Sequence, residues 1–178
     1  MMPPSEMAKI IRTVLCRGLS FEQTEHILRV MLPAQFEPGL PLYKEGDQAQ
    51  GLVVLLKGTV DVMKAGAPEV LATIEGPAVF GEISLLTDGP HTATVMAKTK
   101  CELALLTKTQ FERLVREESV AAFKLLHTLA EVLAHRLLKI NDKFIELTKK
   151  SNGSHGNGGK QVEELSAFKQ KLFTEWKF

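Results

Sequence analysis

Residues 80–95, FGEISLLTDGPHTATV, hold the side chains whose types and spacing best fit a binding site. Gly81 lets the backbone approach a ligand closely, and free N–H groups at a helical turn beginning near Ile83 favour an anion such as a phosphate. A phosphate repels the neighbouring carboxylate of Glu82, which therefore fits best as an acceptor for hydroxyl groups, such as a ribose 2′-OH. An anion with hydroxyl groups a short distance away describes a nucleotide.

The sequence lacks the patterns of the common catalytic and metal sites. It has no nucleophile elbow, P-loop or paired-carboxylate site, which argues against an enzyme. Cys16 and Cys101 lie far apart, fit no metal spacing, and are expected to be reduced packing residues. His127 and His135 lie about 12 Å apart along one predicted helix, too far to chelate a single metal ion. We expect neither a metal nor a cofactor.

Composition narrows the class of partner and the location. The 178 residues include 22 basic and 21 acidic side chains, so the net charge is +1 and gives no general attraction to nucleic acid or acidic membranes. The hydrophobic content of 44% suffices for the core of one domain. Apolar runs stay well short of the roughly 18 residues of a membrane span, and the first residues do not resemble a signal peptide. A cytoplasmic protein is expected.

Short β-type runs separated by glycine turns extend over residues 34–108 and must position the site. Their spacing predicts an antiparallel sandwich or barrel. Residues 1–33 before them predict two helices, the second opened by a capping box of Ser20 and Gln23 and ended by Pro33. The apolar face of this second helix is expected to contain Phe21, Ile27, Leu28 and Met31.

Helical patterns return after the β-type region. Residues 109–150 predict a short helix and then a long one, and residues 151–159, SNGSHGNGG, predict a flexible linker. Residues 160–178 predict a terminal amphipathic helix. Its apolar stripe contains Val162, Leu165, Phe168, Leu172 and Trp176. This helix is expected either to pack on its own domain or to dock on another protein, and the pattern favours neither.

The long helix has two apolar faces. One follows an unbroken 3-4 spacing of the coiled-coil type. Its members are Phe123, Leu126, Ala130, Leu133, Leu137, Ile140, Phe144 and Leu147. The second face consists of Ala122, Leu125, Leu129 and Val132. A helix that is apolar on two sides must bury both, so we expect one face on the domain and the heptad seam in a parallel homodimer. A packed monomer or a heterodimer is the alternative.

The chain resembles the cyclic nucleotide-binding domain, most closely the bacterial catabolite-activator (cAMP receptor) type. The resemblance covers about residues 20–148 and is carried by YKEGDQAQGLVVLLKGTVDV, FGEISLL, HTATVMAKTKCELALL and LAEVLAHRLL, in that order. It implies an α+β fold. An antiparallel β-roll (double-stranded β-helix or jelly roll) would be flanked by N-terminal helices and by a long C-terminal dimerisation helix.

The resemblance also implies roles for particular residues. Backbone amides at Gly81, Ile83 and Ser84 would bind the cyclic phosphate, Glu82 would accept from the ribose 2′-OH, and the Thr92 hydroxyl would contact phosphate or purine. Arg136 on the long helix could cover the purine, although a surface arginine on a coiled coil is the simpler account. The predicted ligand-binding residues are Gly81, Glu82, Ile83, Ser84, His91, Thr92, Ala93 and Arg136.

His91 departs from the family pattern, which has arginine at this position. Arginine is always charged and binds phosphate with a planar fork, whereas histidine offers at most two donors and is only partly protonated near neutral pH. Three interpretations follow. An imidazolium partly replaces the arginine and cAMP or cGMP still binds weakly, or another anionic ligand binds, or the pocket is empty and the roll is a protein-interaction scaffold.

These observations predict a non-enzymatic cyclic nucleotide sensor that signals through its dimer helix and terminal helix to an unidentified protein partner. The alternative is a degenerate β-roll that serves as an adaptor. DNA binding by this chain alone is not expected, because only about 30 residues follow the long helix and they resemble no helix-turn-helix module.

Overall fold

The computed structural model describes residues 2–15, 18–66, 70–87 and 89–152, with the backbone alone for residues 143, 144 and 147–152. The helices are α1 (Pro4–Val14), α2 (Phe21–Val30), α3 (Glu82–Leu86), α4 (Lys108–Arg116) and α5 (Val120–Asn152). The strands are β1 (Leu32–Phe36), β2 (Pro41–Tyr43), β3 (Gly51–Lys57), β4 (Thr59–Met63), β5 (Ala72–Glu75), β6 (Ala78–Phe80), β7 (Thr94–Ala97) and β8 (Cys101–Thr107).

The strands form two four-stranded sheets, ordered β1-β8-β3-β6 and β2-β7-β4-β5, with antiparallel neighbours throughout. This arrangement confirms the predicted α+β fold with an antiparallel β-roll. The prediction that Pro33 ends the second helix is wrong. α2 ends at Val30, and Pro33 lies inside β1, opposite Ala104. Because β1 is an edge strand, a residue without an N–H group is tolerated there.

Strand β3 separates two apolar clusters. Leu52, Val54 and Leu56 face the helices, whereas Val53 and Leu55 lie between the two sheets. Both faces are therefore covered, and residues 51–56 are all buried. This explains why β3 is a continuous apolar run in the sequence instead of an alternating one.

The N-terminal helices pack on the outer face of the roll through Ile11 and Ile27, which are both fully buried. The Ser20–Gln23 capping box that was predicted for α2 is confirmed. The prediction that Phe21 belongs to the buried face is wrong, since its side chain is 60% exposed. Phe21 is the first residue of α2, and helical side chains lean toward the N-terminus, so this ring extends beyond the end of the packed face.

Helix α5 runs through both units into which the chain divides, Met1–Leu129 and Ala130–Phe178. Within the first unit, the prediction that one apolar face of α5 packs on the domain is confirmed, whereas the part of the seam in a dimer stays a prediction. Ala122, Leu125 and Leu129 are buried in the core, while Phe123 and Leu126 of the heptad seam are 48% and 37% exposed.

In the second unit the structure describes residues 130–152, all of them helical. Leu137 and Ile140 of the seam are exposed, and so is Val132, which was assigned to the other face. The side chains of Phe144 and Leu147 lie outside the described residues. Ser151 and Asn152 belong to α5, so the predicted linker cannot begin before residue 153. The rest of that linker and the predicted terminal helix also lie outside the described residues.

Among the described residues, none of the helices is both long enough and apolar enough to cross a lipid bilayer.

Candidate functional site

Gly81 forms the corner between β6 and α3. It has the left-handed φ of +84°, and a Cβ at this position would lie 2.6 Å from the carbonyl oxygen of Gly51 on β3. A Cβ atom essentially never lies that close to a carbonyl oxygen, so only a residue without a side chain allows this approach. The corner directly precedes Glu82, and it thereby determines where the short helix begins.

Helix α3 buries two polar side chains and exposes the residue between them. Glu82 and Ser84 are only 4% and 6% exposed, whereas Ile83 is 45% exposed. The first turn of the helix is closed by the Leu85 N–H, which donates to the Gly81 carbonyl at 3.1 Å. The amides of residues 82–84 precede this bond, which is the position from which helix N–H groups donate to an anion.

His91 lies inside the protein, with 3% of its surface exposed. Its backbone N–H donates to the Asp47 carbonyl at 2.9 Å, and its own carbonyl accepts from the Gly46 N–H at 2.9 Å. The loop between β2 and β3 therefore holds the His91 backbone in register. A partly protonated imidazole was expected here, and the structure places the ring in the interior, where charge is disfavoured.

The His91 ring contacts three other residues. Nδ1 lies 2.9 Å from Ser84 Oγ, and the backbone N–H of Gln50 donates to Nε2 at 3.4 Å. The Tyr43 ring stacks on the imidazole with centroids 3.7 Å apart and planes 7° from parallel. We call Tyr43, Gln50, Ser84 and His91 the His91 cluster.

The contact with Gln50 determines the tautomer. A backbone N–H can only donate, so Nε2 must present its lone pair, and the proton of a neutral ring must reside on Nδ1. Nδ1–H then donates to the Ser84 hydroxyl. A doubly protonated ring would direct one N–H group against another at Gln50. The cluster therefore contains a neutral imidazole with both nitrogens engaged.

The electrostatics of the cluster favour the neutral ring. Burial lowers the pKa of His91 below its usual value of 6.5, and the negative charge of Asp47 opposes this with a smaller effect. Burial and, second, the charge of Glu82 raise the pKa of Tyr43 to about 12. Tyr43 thus remains a neutral phenol. Its pKa responds to the charge of Glu82, the carboxylate predicted to accept from the ribose.

The remaining predicted site residues lie outside the His91 cluster. Thr92 is exposed and Ala93 is half-buried, while the next residue, Thr94, accepts a hydrogen bond from the Glu45 N–H at 2.9 Å. Asp88 lies outside the described residues. Arg136 is exposed and belongs to the second unit, so its predicted contact with a purine stays a prediction.

Sequence reasoning missed Tyr43 and Gln50. Both precede the cassette by about 30 to 50 residues in the sequence, and the contact arises only because the β2–β3 loop folds onto His91. One signal was available, since Tyr43 is the single tyrosine of the chain and lies in a strand that ends at a Gly-Asp turn. Aromatic rings with a polar end are common at sites that are part apolar and part polar.

A cavity of about 290 Å³ borders the stacked rings of Tyr43 and His91. Strands β1, β3 and β8 supply most of its wall, including Ala34, Val53 and Leu103, and the wall is largely apolar. The cavity is about twice the size of one that holds a benzene molecule. Tyr43, Gln50 and His91 of the cluster therefore border open space in addition to contacting one another.

The described residues contain no cluster of candidate metal ligands, and the Cys101 thiol is buried. In the part of the chain that the structure describes, no three His, Cys, Asp or Glu side chains gather as a metal site would require. Cys101 is a buried free thiol that donates to the carbonyls of Thr59 and Thr99 at 3.4 and 3.3 Å. This agrees with the packing role expected for Cys101, while Cys16 lies outside the described residues.

Comparison with known proteins places this geometry in a family. The sequence pattern of the family described as "Cyclic nucleotide-binding domain" matches residues 33–118. The chain is 40% identical over 79 residues to the cAMP-dependent protein kinase regulatory subunit of Yarrowia lipolytica, a match to 44% of this chain and 21% of that protein. It is 31% identical over 126 residues to the cyclic AMP receptor protein of Thermus thermophilus, covering 69% and 56% of the two chains.

Solved structures agree with the sequence matches. The crystal structure of the Thermus thermophilus catabolite activator protein superposes with a TM-score of 0.68 at 27% identity, over 77% of this chain and 64% of that one. The regulatory domain of Toxoplasma gondii PKA crystallised with cAMP gives a TM-score of 0.56 at 25% identity, over 61% and 43%. The matched segments span roughly a fifth to a half of the curated relatives. The chain belongs, through residues 33–118, to the cyclic nucleotide-binding domain family, with catabolite-activator proteins among its structural neighbours.

Proposed function

We propose that this chain is a non-enzymatic sensor that binds cAMP or cGMP in the β-roll and passes the binding event to a protein partner. The observation that carries the proposal is the buried carboxylate of Glu82, placed directly after the Gly81 corner at the start of α3. An ionised carboxylate is an acceptor only, and its two oxygens can accept hydrogen bonds from hydroxyl groups. A site that receives ribose hydroxyls gives a reason for keeping a carboxylate at this place in the roll.

In the proposed complex the cyclic phosphate lies at the start of α3, where the amides of Gly81, Ile83 and Ser84 donate to it. Glu82 accepts from the ribose 2′-OH, and Thr92 and Ala93 line the phosphate or purine side. Arg136 is proposed to cover the purine. Neither cAMP nor cGMP is preferred by these contacts, although the Thr92 hydroxyl is able to accept from a guanine amino group.

Affinity is proposed to be lower than in relatives with arginine at the position of His91. A hydrogen bond to a charged group contributes about 1.5–3 kcal/mol, so losing one branch of the guanidinium fork weakens binding by roughly ten- to a few hundred-fold. The orientation of the imidazole adds to this, because Nε2 must give up its contact with the Gln50 amide before it can face a phosphate.

Isothermal titration calorimetry of the full chain with cAMP and cGMP at pH 6 tests the proposal, with 5′-AMP as the control ligand because it lacks the cyclic diester. We expect micromolar to millimolar binding of a cyclic nucleotide and much weaker binding of 5′-AMP. Glu82→Gln should weaken binding at least tenfold, whereas Glu75→Gln, a matched change on exposed strand β5, should leave it unchanged.

His91→Arg is the matching gain-of-function variant. Restoring the family's cation should strengthen binding and make it insensitive to pH between 6 and 8, because arginine stays charged throughout. If neither the wild type nor His91→Arg binds any cyclic nucleotide at millimolar concentration, although both melt cooperatively, the sensor proposal is wrong.

The dimer belongs to the same proposal. The chain is proposed to form a parallel homodimer through the seam of α5, and residues 160–178 are proposed to contact a partner or the domain itself. Exposed Phe123 and Leu126 support an additional interface, since these large apolar side chains adjoin the buried face of the same helix. We also propose that the protein is located in the cytoplasm. We propose further that it signals without DNA binding by this chain alone.

The second candidate function is a nucleotide-free adaptor. The His91 cluster favours it, because the imidazole satisfies both nitrogens with protein partners and stacks on Tyr43. A roll that needs no ligand to complete its interior could serve as a scaffold. The His91→Arg titration separates the two candidates, because an adaptor whose pocket has lost its function gains no affinity from one restored cation.

A further inference from the structure

We infer that binding of a cyclic phosphate in this roll is coupled to the uptake of one proton by His91, and that Tyr43 and Ser84 are positioning residues that hold the unprotonated ring inward. This inference rests on the proposed function and specifies how that site is regulated. It follows from the hydrogen bonds of the His91 cluster and from the chemistry of a phosphate diester.

In the unliganded cluster, the ring has no donor to offer a phosphate. The Nδ1–H group is directed at Ser84 Oγ, and Nε2 presents a lone pair to the Gln50 amide. A lone pair facing a phosphate oxygen is repulsive. For His91 to take the place of the family's arginine, Nε2 must acquire a proton from solvent. The ring then becomes an imidazolium that donates to the anion.

The bond that must break is the weakest of the cluster. The contact between the Gln50 amide and Nε2 measures 3.4 Å, near the upper limit for a hydrogen bond, whereas the Ser84 contact is 2.9 Å. Gln50 is exposed, so water can accept from its released amide. The ring can therefore turn its Nε2 edge outward without leaving a buried donor unpaired, and the Ser84 hydroxyl can continue to accept from Nδ1–H.

Charged groups near the His91 cluster bias the protonation of its ring. Asp47, from the β2–β3 loop, favours the protonated ring, and its carboxylate also accepts from the Lys44 N–H at 2.9 Å. The charge of Glu82, on α3, acts on the stacked Tyr43. The Glu45 carboxylate, from the same loop, accepts from the Ala65 N–H at 2.7 Å. An arriving phosphate adds negative charge to this set, which shifts the ring further toward its protonated form.

Tyr43 stabilises the neutral, inward state by stacking. Parallel rings 3.7 Å apart exclude water from one face of the imidazole, and this desolvation disfavours its charge. The cavity of about 290 Å³ on the other side gives the two rings room to separate. Release of His91 therefore needs no rearrangement of the close-packed interior around β3.

The test is calorimetry of the full chain with cAMP at pH 7 in several buffers of different ionisation enthalpy. The dependence of the observed enthalpy on the buffer measures the protons taken up. We expect close to one proton per cAMP at pH 7, falling toward zero once the pH lies below the pKa of His91 in the free protein. Affinity should then weaken by about tenfold for each pH unit above neutrality, as linkage requires for a single proton. His91→Arg should abolish the uptake, and His26→Gln, at an exposed histidine on α2, should leave it unchanged.

Nitrogen-detected NMR of the His91 ring provides the second readout. Free protein should show the neutral Nδ1–H tautomer, and saturation with cAMP should show both nitrogens protonated. In Tyr43→Leu the free ring should titrate at higher pH than in wild type, because the stacked, water-excluding face is lost. In Tyr43→Phe, which retains the stacked ring, the titration should be unchanged.

The outcomes separate this inference from the proposed function. Binding of cAMP without proton exchange, with His91 still neutral in the complex, overturns the inference and leaves the sensor standing. Absence of binding in both wild type and His91→Arg overturns the sensor itself. If His91 titrates at the same pH in folded Tyr43→Leu as in wild type, the positioning role assigned to Tyr43 is wrong.

Discussion

The carbonyl oxygen of Gly51 lies 2.6 Å from the point where a Cβ on residue 81 would be. This relationship joins the end of β6 to the start of β3 at the place where α3 begins. It explains why the residue before Glu82 must lack a side chain, independently of any ligand.

Gly81→Ala should therefore destabilise the fold. The left-handed φ of +84° costs alanine roughly 1–2 kcal/mol, and the collision with the backbone adds roughly 1–3 kcal/mol. We expect a loss of about 2–5 kcal/mol in the free energy of urea unfolding followed by circular dichroism. Gly66→Ala is the matched control, because Gly66 has a φ of +83° with nothing within 4 Å of its Cβ position. Equal losses in the two variants would show that the Gly51 contact is unimportant.

The buried, neutral His91 predicts how stability depends on pH. Burial lowers its pKa in the folded protein below the 6.5 of the unfolded chain, so between these values the unfolded state binds a proton that the folded state does not. The stability that the neutral His91 ring contributes to the folded state is thus fully present above about pH 6.5. It is lost as the pH falls through the lower pKa that His91 has in the folded protein.

We expect unfolding free energies of the ligand-free wild type to fall more between pH 7 and pH 5 than those of His91→Gln, with parallel curves above pH 7. Urea titrations at half-unit pH steps provide the comparison. A wild type that becomes more stable than His91→Gln on acidification would mean that Asp47 holds an imidazolium in the folded state, contrary to the tautomer assigned here.

Neighbouring leucines on α5 should respond differently to truncation. Leu125 is fully buried in the core and Leu126 is 37% exposed. Leu125→Ala should cost about 2–5 kcal/mol of stability. Leu126→Ala should cost the monomer about 0.5 kcal/mol or less, and it should instead weaken dimer formation. Unfolding at low protein concentration and sedimentation at high concentration measure the two effects separately.

The proposed dimer is tested by placing charge on the seam. Leu133→Glu combined with Leu137→Glu buries two carboxylates in the interface and should yield monomers in sedimentation velocity experiments. His135→Glu combined with Leu138→Glu adds two carboxylates to the same helix away from the seam, and it should leave the dimer intact. An unchanged mass in the seam variant would exclude this face as the interface, as would a wild type that is monomeric at high concentration.

Much of the architecture could be read from local patterns. The capping box at Ser20 and the change of periodicity after residue 33 predicted helices followed by a roll, because these signals depend on neighbouring residues alone. Pro33 was wrongly taken as the end of the second helix and lies instead in the following strand, β1. A proline is compatible with either place, since it can end a helix and is also tolerated in an edge strand. The pattern could not show that Leu32–Phe36 pairs with β8 from the far end of the roll.

In the candidate site, too, local features could be predicted from the sequence and long-range ones could not. The short motif around Gly81 and Glu82 is contiguous in the chain, so its residue types alone indicated a phosphate corner and a ribose acceptor. The resemblance to the cyclic nucleotide-binding family placed His91 where that family has arginine. The state of that histidine was not readable, because protonation depends on burial and on partners that are distant in the sequence.

The amino-acid sequence by itself determined the family, the order of elements and the cassette, since each resides in short-range pattern and spacing. Only the tertiary structure decided that His91 is inward, neutral and stacked. Its environment is assembled from β2, the β2–β3 loop and α3, and folding brings these segments together. A side chain's charge follows from its surroundings, and the surroundings exist only in the folded chain.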